Sequence, residues 1–187
     1  MKKLLLLTAT FAMLAGCGNK DEMKLQEIIT QTENQVKPLN KEAALAYWNG
    51  TITGDTAEFE KYSRANIAIT KIYSDSATFA ALKEIKENGK IKDPVLVRQM
   101  EVLYNSFLSN QVDTALLNSI IMKSTALEQK YAEFRASFRG KTISDNEVEK
   151  ILQTSTDNKE LEDVWKAHKE IGPFVAADVV EIIKLRN

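Results

Sequence analysis

Between residues 116 and 138 the apolar residues Leu116, Ile120, Leu127, Tyr131, Phe134 and Phe138 recur in steps of three, four or seven. That period places them on one face of a helix. With 7 glycines and 3 prolines in 187 residues, the chain has few means of stopping a helix once it has begun. The same period recurs elsewhere. Residues 24–36 carry Leu25, Ile28, Ile29 and Val36, and the last fourteen residues carry Val175, Val179, Ile182 and Ile183. No stretch of four or more residues alternates as a half-buried strand would. The expected class is all-α: long antiparallel helices forming an open bundle.

Caps and breakers divide the pattern. Pro38 is expected to break or kink the first helix, and Asn40 to cap a resumption from Leu39 to Trp48. Asn49-Gly50-Thr51 and Thr53-Gly54-Asp55 read as loop. A long segment over 56–88 follows, marked by Phe59, Tyr62, Ile69, Ile72, Phe79, Leu82 and Ile85, with an interruption at Ser74-Asp75-Ser76 and an end at Asn88-Gly89. Asp93-Pro94 restarts the chain with a cap and a first-turn proline; Leu96, Met100, Leu103 and Phe107 follow. Asp113 restarts it again, and Arg139-Gly140-Lys141 closes the long helix. Ser144 and Glu147 form a capping box, flanked by Ile143 and Val148 as a hydrophobic staple. A short helix to Gln153, another from Asp157 or Asn158, a break at Gly172-Pro173 and a last helix complete the reading.

The opening seventeen residues, MKKLLLLTATFAMLAGC, read as an address rather than as structure. Lys2 and Lys3 precede an apolar run from Leu4 to Leu14, which is shorter than the ~20 residues that span a bilayer. Leu14-Ala15-Gly16-Cys17 resembles the lipobox of bacterial lipoproteins. That resemblance implies cleavage after residue 16 and lipidation of Cys17, with several acyl chains for stable anchoring. The expected organisation is a signal peptide over 1–16, a tether over 17–23 and one helical domain over 24–187. Loss of the signal leaves 23 basic against 26 acidic side chains. No aspartate directly follows Cys17, so the expected location is the cell envelope, at the outer membrane. Lys20-Asp21-Glu22 fits either a surface-export signal or a solvated tether.

Counting excludes much chemistry. The near balance of charge, 25 basic to 26 acidic, offers no basic stripe for nucleic acid. A helical zinc-peptidase motif, H-E-x-x-H, needs two histidines, and His168 stands alone. Trp165 occupies the position where an E-x-x-H motif would need glutamate. No D-x-D-x-D-G run, G-x-S-x-G or phosphate-binding glycine loop is present. His168 has Glu162 or Asp163 as candidate partners, but packing or surface exposure is the expectation. Core packing is likewise expected for Trp48 and Trp165. Asp55-Thr56-Ala57, Asp75-Ser76-Ala77 and Asp113-Thr114-Ala115 each resemble an O-glycosylation sequon of exported Gram-negative proteins, making Thr56, Ser76 and Thr114 candidate acceptors. Each is equally an Asp-capped helix start. Asn49-Gly50-Thr51 has the form of a eukaryotic N-glycan sequon, which a bacterial lipoprotein does not use.

Three stretches taken together carry a family resemblance. They are Ala46-Tyr47-Trp48-Asn49 with Thr51 and Thr53 behind it, Asp93-Pro94 followed by Leu96, Arg98 and Gln99, and residues 149–172, EKILQTSTDNKELEDVWKAHKEIG. Their order and spacing resemble the N-terminal part of the angiotensin-converting enzyme family, the zinc metallopeptidases of peptidyl-dipeptidase A type. Leu185 and Asn187 fall where that family carries L-x-N in a helix that continues. The resemblance covers 24–187. It implies a helical ellipsoid with a central channel whose N-terminal helices form a lid admitting short peptides. It also implies a zinc, held by H-E-x-x-H and a downstream glutamate, that activates water. None of those zinc ligands has a counterpart here, so no catalytic or metal residue is carried onto this sequence.

The expectation is therefore a non-catalytic N-terminal fragment, inactive alone and without a cofactor of its own. Its partners would be the membrane through Cys17, the missing catalytic portion and, in the full enzyme, short peptides. The alternative is a self-standing helical envelope lipoprotein that binds a peptide or protein. The two differ in the fate of Val175, Val179, Ile182 and Ile183: exposed as one patch in a fragment, buried in a finished bundle.

Overall fold

A computed structural model describes residues 19–187. The expected signal peptide over 1–16 and Cys17 lie outside the described residues. Eight helices and one short hairpin follow in order: α1 Lys20–Thr53, α2 Thr56–Tyr73, α3 Ser76–Asn88, α4 Pro94–Leu108, α5 Thr114–Glu133, β1 Ala136–Phe138, β2 Lys141–Ile143, α6 Asp145–Thr154, α7 Asn158–Lys169 and α8 Ile171–Arg186. The class is all-α. No described helix is long and apolar enough to cross a membrane.

Caps fix the boundaries. Side chains of Asp55, Asp75, Asp93, Asp113, Ser144 and Asp157 each accept a first-turn backbone N–H of the helix that follows. Gly54 and Gly89 end α1 and α3 in the left-handed conformation, at φ 72° and 60°. The capping box of α6 is complete, and its staple partners Ile143 and Val148 are both buried. The hydrogen bonds that Glu147 receives from the Ser144 backbone and hydroxyl hold its carboxyl below the usual range.

The structure departs from the sequence reading in α1. The helix begins at Lys20, inside the expected tether, with the Asn19 side chain accepting from Asp21. It then runs 34 residues without a break, through Pro38 and through Asn49-Gly50-Thr51. Pro38 is exposed and offers the Asn34 carbonyl no N–H partner. Helix α1 is continuous across it and packs against α2. Gly50 is a contact residue rather than a turn. A Cβ there would stand 3.1 Å from the Phe59 ring, so glycine lets α2 lie close.

The second departure lies past α5. Phe134 caps the helix, and Phe138 belongs to β1, paired antiparallel with β2. Arg139 at φ 52° and Gly140 at φ 76° form the two-residue turn between Phe138 and Lys141. Three-residue strands are too short to show a two-residue period.

The core is divided. One cluster joins α1, α3 and α4 through Leu25, Leu82, Ile85, Leu96, Met100 and Phe107. The other joins the hairpin, α6 and α7 through Ala136, Phe138, Ile143, Val148 and Val164. Between them α5 is flanked by α1, α2 and α8. Its one fully buried residue is Thr125; Leu116, Ile120 and Leu127 are half-buried and Tyr131 is exposed. The expected stripe is thus spread over several neighbours.

Helix α8 lies on α5 and buries Val175 and Ile182. Lys130–Asp178 (2.5 Å) and Lys123–Glu181 (2.8 Å) flank that seam. Ile183 points outward with Phe174 and Val180. The four residues expected to share one fate are therefore divided. The break before α8 sits at Glu170, and Gly172-Pro173 falls within the first turn, where a missing N–H leaves no bond unmade.

Candidate functional site

Three segments distant in sequence enclose an open groove of about 720 Å³. The end of α1 supplies Tyr47, Thr51 and Ile52. The end of α5 and the residues after it supply Leu127, Glu128, Tyr131, Ala132 and Arg135. The start of α6 supplies Ser144, Asp145 and Asn146. This volume falls within the 300–1,000 Å³ range usual for small-ligand and short-peptide sites.

Local structure sets each wall. The Gly54 turn places the last turn of α1 beside the end of α5, and Gln129 Nε2 donates to Thr56 Oγ1 at 2.9 Å across the same corner. Arg135 closes α5 by donating through Nη1 to the carbonyls of Ala132 (2.8 Å) and Phe134 (2.6 Å), and it lines the groove wall. The capping box orients Ser144 and Asp145.

The groove is amphipathic. Tyr47, Ile52, Leu127 and Tyr131 give it apolar surface, and the Tyr47 and Tyr62 rings pack 5.1 Å apart beneath it. Glu128 is its unusual group. Burial raises its carboxyl above the ordinary range, and its Oε2 is buried with no donor among the described residues. The Tyr62 hydroxyl is raised as well, first by its own burial and then by Glu128. A second pocket of about 200 Å³ also reaches Glu128, between α2 and α5, lined by Tyr62, Asn66, Thr70, Ile120, Ile121, Ser124 and Thr125.

His168 sits at the groove's edge. Its Nε2 lies 3.7 Å from the Asp145 carboxylate. The candidate partners Glu162 and Asp163 instead pair with Lys166 and Lys159 along α7, which lowers both carboxyls. Trp48 and Trp165, expected in the core, are 64% and 52% exposed. Thr56, Ser76 and Thr114 are exposed first residues of α2, α3 and α5. The aspartate before each caps its helix.

In the sequence Tyr47 stands out in a family motif and Tyr131 in an apolar stripe, whereas Glu128 and Arg135 belong to no motif. The only local signal was a glutamate beside Leu127 on a helix otherwise read for its apolar stripe. Among the described residues no three His, Cys, Asp or Glu side chains gather closely enough to hold a metal ion. One imidazole facing one aspartate does not match a zinc-peptidase ligand set.

A helical domain with a short-ligand groove and no hydrolytic ligand set is what these observations define. The sequence model of the angiotensin-converting enzyme peptidases matches residues 19–187, and the chain belongs to that family. Comparison with curated proteins and with solved structures found no match.

Proposed function

We propose that this chain is a non-catalytic, lipid-anchored helical part of a peptidyl-dipeptidase-type zinc peptidase, and that the groove between α1, α5 and α6 shapes the peptide entrance. The observation that carries this reading is the groove itself: two tyrosines with the carboxyls of Glu128 and Asp145 and the guanidinium of Arg135 suit a short chain bearing both charges. Family membership supplies the peptide class. The single histidine explains why cutting is assigned to a separate polypeptide segment that brings H-E-x-x-H, with zinc as that segment's cofactor.

The test uses the full chain, purified in detergent, with fluorogenic dipeptide-releasing substrates and added zinc. No turnover is expected from the chain alone. Co-expression with a family segment bearing H-E-x-x-H is expected to restore it, and Tyr131→Ala or Arg135→Ala to raise KM with a smaller effect on kcat. Zinc-dependent hydrolysis by the chain alone would overturn the assignment.

One observation favours a second reading, a self-standing envelope lipoprotein that binds peptides or proteins. Helix α8 is seated on α5 by Val175, Ile182 and two ion pairs. Tight peptide binding by the chain alone, unchanged by the catalytic segment, would support that reading.

A further inference from the structure

Residues 136–169 form a packing unit of their own. Its core, Ala136, Phe138, Ile143, Val148 and Val164, is shared by the hairpin, α6 and α7. β1 pairs with β2, α7 packs on β1, and α6 packs on α7; none of the four lies along α1–α5 or α8 to a comparable extent. Polar contacts follow the same division. Arg139 pairs with Glu160 at 2.9 Å, Ser155 donates to Glu160 at 2.6 Å, and His168 stands 3.7 Å from Asp145, which ties the hairpin, α6 and α7 to one another. Among the described residues, every ion pair made by residues 136–169 closes within that range.

The chain enters and leaves this unit at neighbouring points. Phe134 and Arg135 join α5 to β1, and Glu170 alone joins α7 to α8. The Phe134 and Phe174 rings lie 5.9 Å apart, so the two crossings run side by side. Arg135 donates back to Ala132 and Phe134, not forward into β1. Helix α8 has no side-chain cap, and Gly172 in its first turn has open space where a Cβ would stand. Two short connectors set together are the geometry of a hinge, in which a few element-terminal residues absorb the change in φ and ψ.

The groove occupies the gap between this unit and the rest of the molecule. Ser144, Asp145 and Asn146 belong to the small side, and Tyr47, Ile52 and Tyr131 to the large one, with about 720 Å³ of open space among them. A unit held by few packed contacts opens at low cost in free energy. A ligand that touches both walls favours the arrangement in which they stand closest, because only there does it make both sets of contacts.

We propose that residues 136–169 are a flap that swings about Phe134–Arg135 and Glu170–Gly172, and that peptide in the groove draws it closed. Peptide as the closing agent rests on the function proposed above; the hinge rests on the two separate packing units. His168 and Asp145 both belong to the flap, so their pairing survives the motion, and closure carries the Asp145 carboxylate toward the α5 wall.

The experiment reads distances across the hinge in the full chain. Spin labels are introduced in pairs through a ketone-bearing amino acid, which spares Cys17. Glu42 on α1 is paired with Gln153 at the end of α6, with Asn158 at the start of α7, or with Met122 on α5 as the control; all four positions are exposed. Distance distributions are measured by double electron–electron resonance with and without the pentapeptide Gly-Phe-Ala-Phe-Lys, whose binding is followed separately by calorimetry. In the free chain both distributions to the flap are expected to be broader than the control. Saturating peptide is expected to narrow both to the width of the control and to shift them together, with the control unchanged. Peptide that binds and alters neither distribution overturns the closure and leaves the groove reading standing. A response at position 153 without one at 158 overturns the single rigid flap. Distributions as narrow as the control in the free chain overturn the hinge. No binding at millimolar peptide overturns the groove reading, and closure by peptide with it.

Discussion

Glu128 holds one carboxylate oxygen that no donor reaches, and the sign of its effect follows from that. Burial raises its carboxyl above the ordinary value of about 4.3, so between the two values the folded protein binds more protons than the unfolded chain. Its contribution to stability is full below the ordinary carboxylate range and is lost as pH rises through the raised value. Glu128→Gln is expected to remove this slope and stabilise the protein at pH 7.5 by less than about 1 kcal/mol, because the half-exposed carboxyl is screened by solvent. Urea melts at pH 7.5 and pH 4 check it: the gain should shrink toward the acid side. Gly50 offers the steric counterpart. Phe59 is 1% exposed and cannot swing away from a new side chain. Gly50→Val is expected to cost about 1–3 kcal/mol by overpacking, although glycine is the weaker helix former. A denaturant midpoint unchanged by that substitution would show that α2 has room to shift.

At the scale of elements, what could be read from the sequence was local chemistry, and what could not was chemistry decided by neighbours. Asp55, Asp75, Asp93, Asp113, Ser144 and Asp157 announce helix starts because a cap acts within three residues of itself. Pro38 misleads because its effect is settled elsewhere. A proline in a helix interior costs about 3 kcal/mol, yet the surface α1 shares with α2 repays a continuous helix. The hairpin escapes because its strands are three residues long, although Arg139-Gly140 already carries the turn. The groove escapes because its walls come from residues 47–52, 127–135 and 144–146, a proximity no spacing rule encodes. Family resemblance reached the peptidase class through motifs that share only Tyr47 and Thr51 with the groove. The α1 account has a direct test. Pro38→Ala restores the missing bond to Asn34 at an exposed site and is expected to raise stability by up to about 3 kcal/mol, read from thermal and urea melts. A destabilising outcome would mean that the proline shapes a bend the packing requires.

At the scale of the whole molecule, the question is whether α8 belongs to this domain or to a surface shared with another. The two faces of the helix answer separately. Val175 and Ile182 are 3% and 8% exposed against α5, whereas Ile183 is 51% exposed beside Val180 and Phe174. Val175 is buried in the α5–α8 seam, where Lys130 and Lys123 are already paired with Asp178 and Glu181, so Val175→Asp is expected to destabilise the isolated chain by about 3 kcal/mol. The same carboxylate at position 183 faces water, and Ile183→Asp is expected to leave the melt within about 0.5 kcal/mol of wild type. Both variants are then combined with the H-E-x-x-H-bearing segment, and association is followed by sedimentation. If the outer face of α8 is where the catalytic portion packs, Ile183→Asp abolishes association and zinc-dependent turnover while the chain's own melt is untouched. Association that survives Ile183→Asp, with turnover intact, places the docking face elsewhere. A loss of stability in Ile183→Asp as large as that in Val175→Asp would mean that α8 is enclosed on both sides, as a self-standing bundle requires.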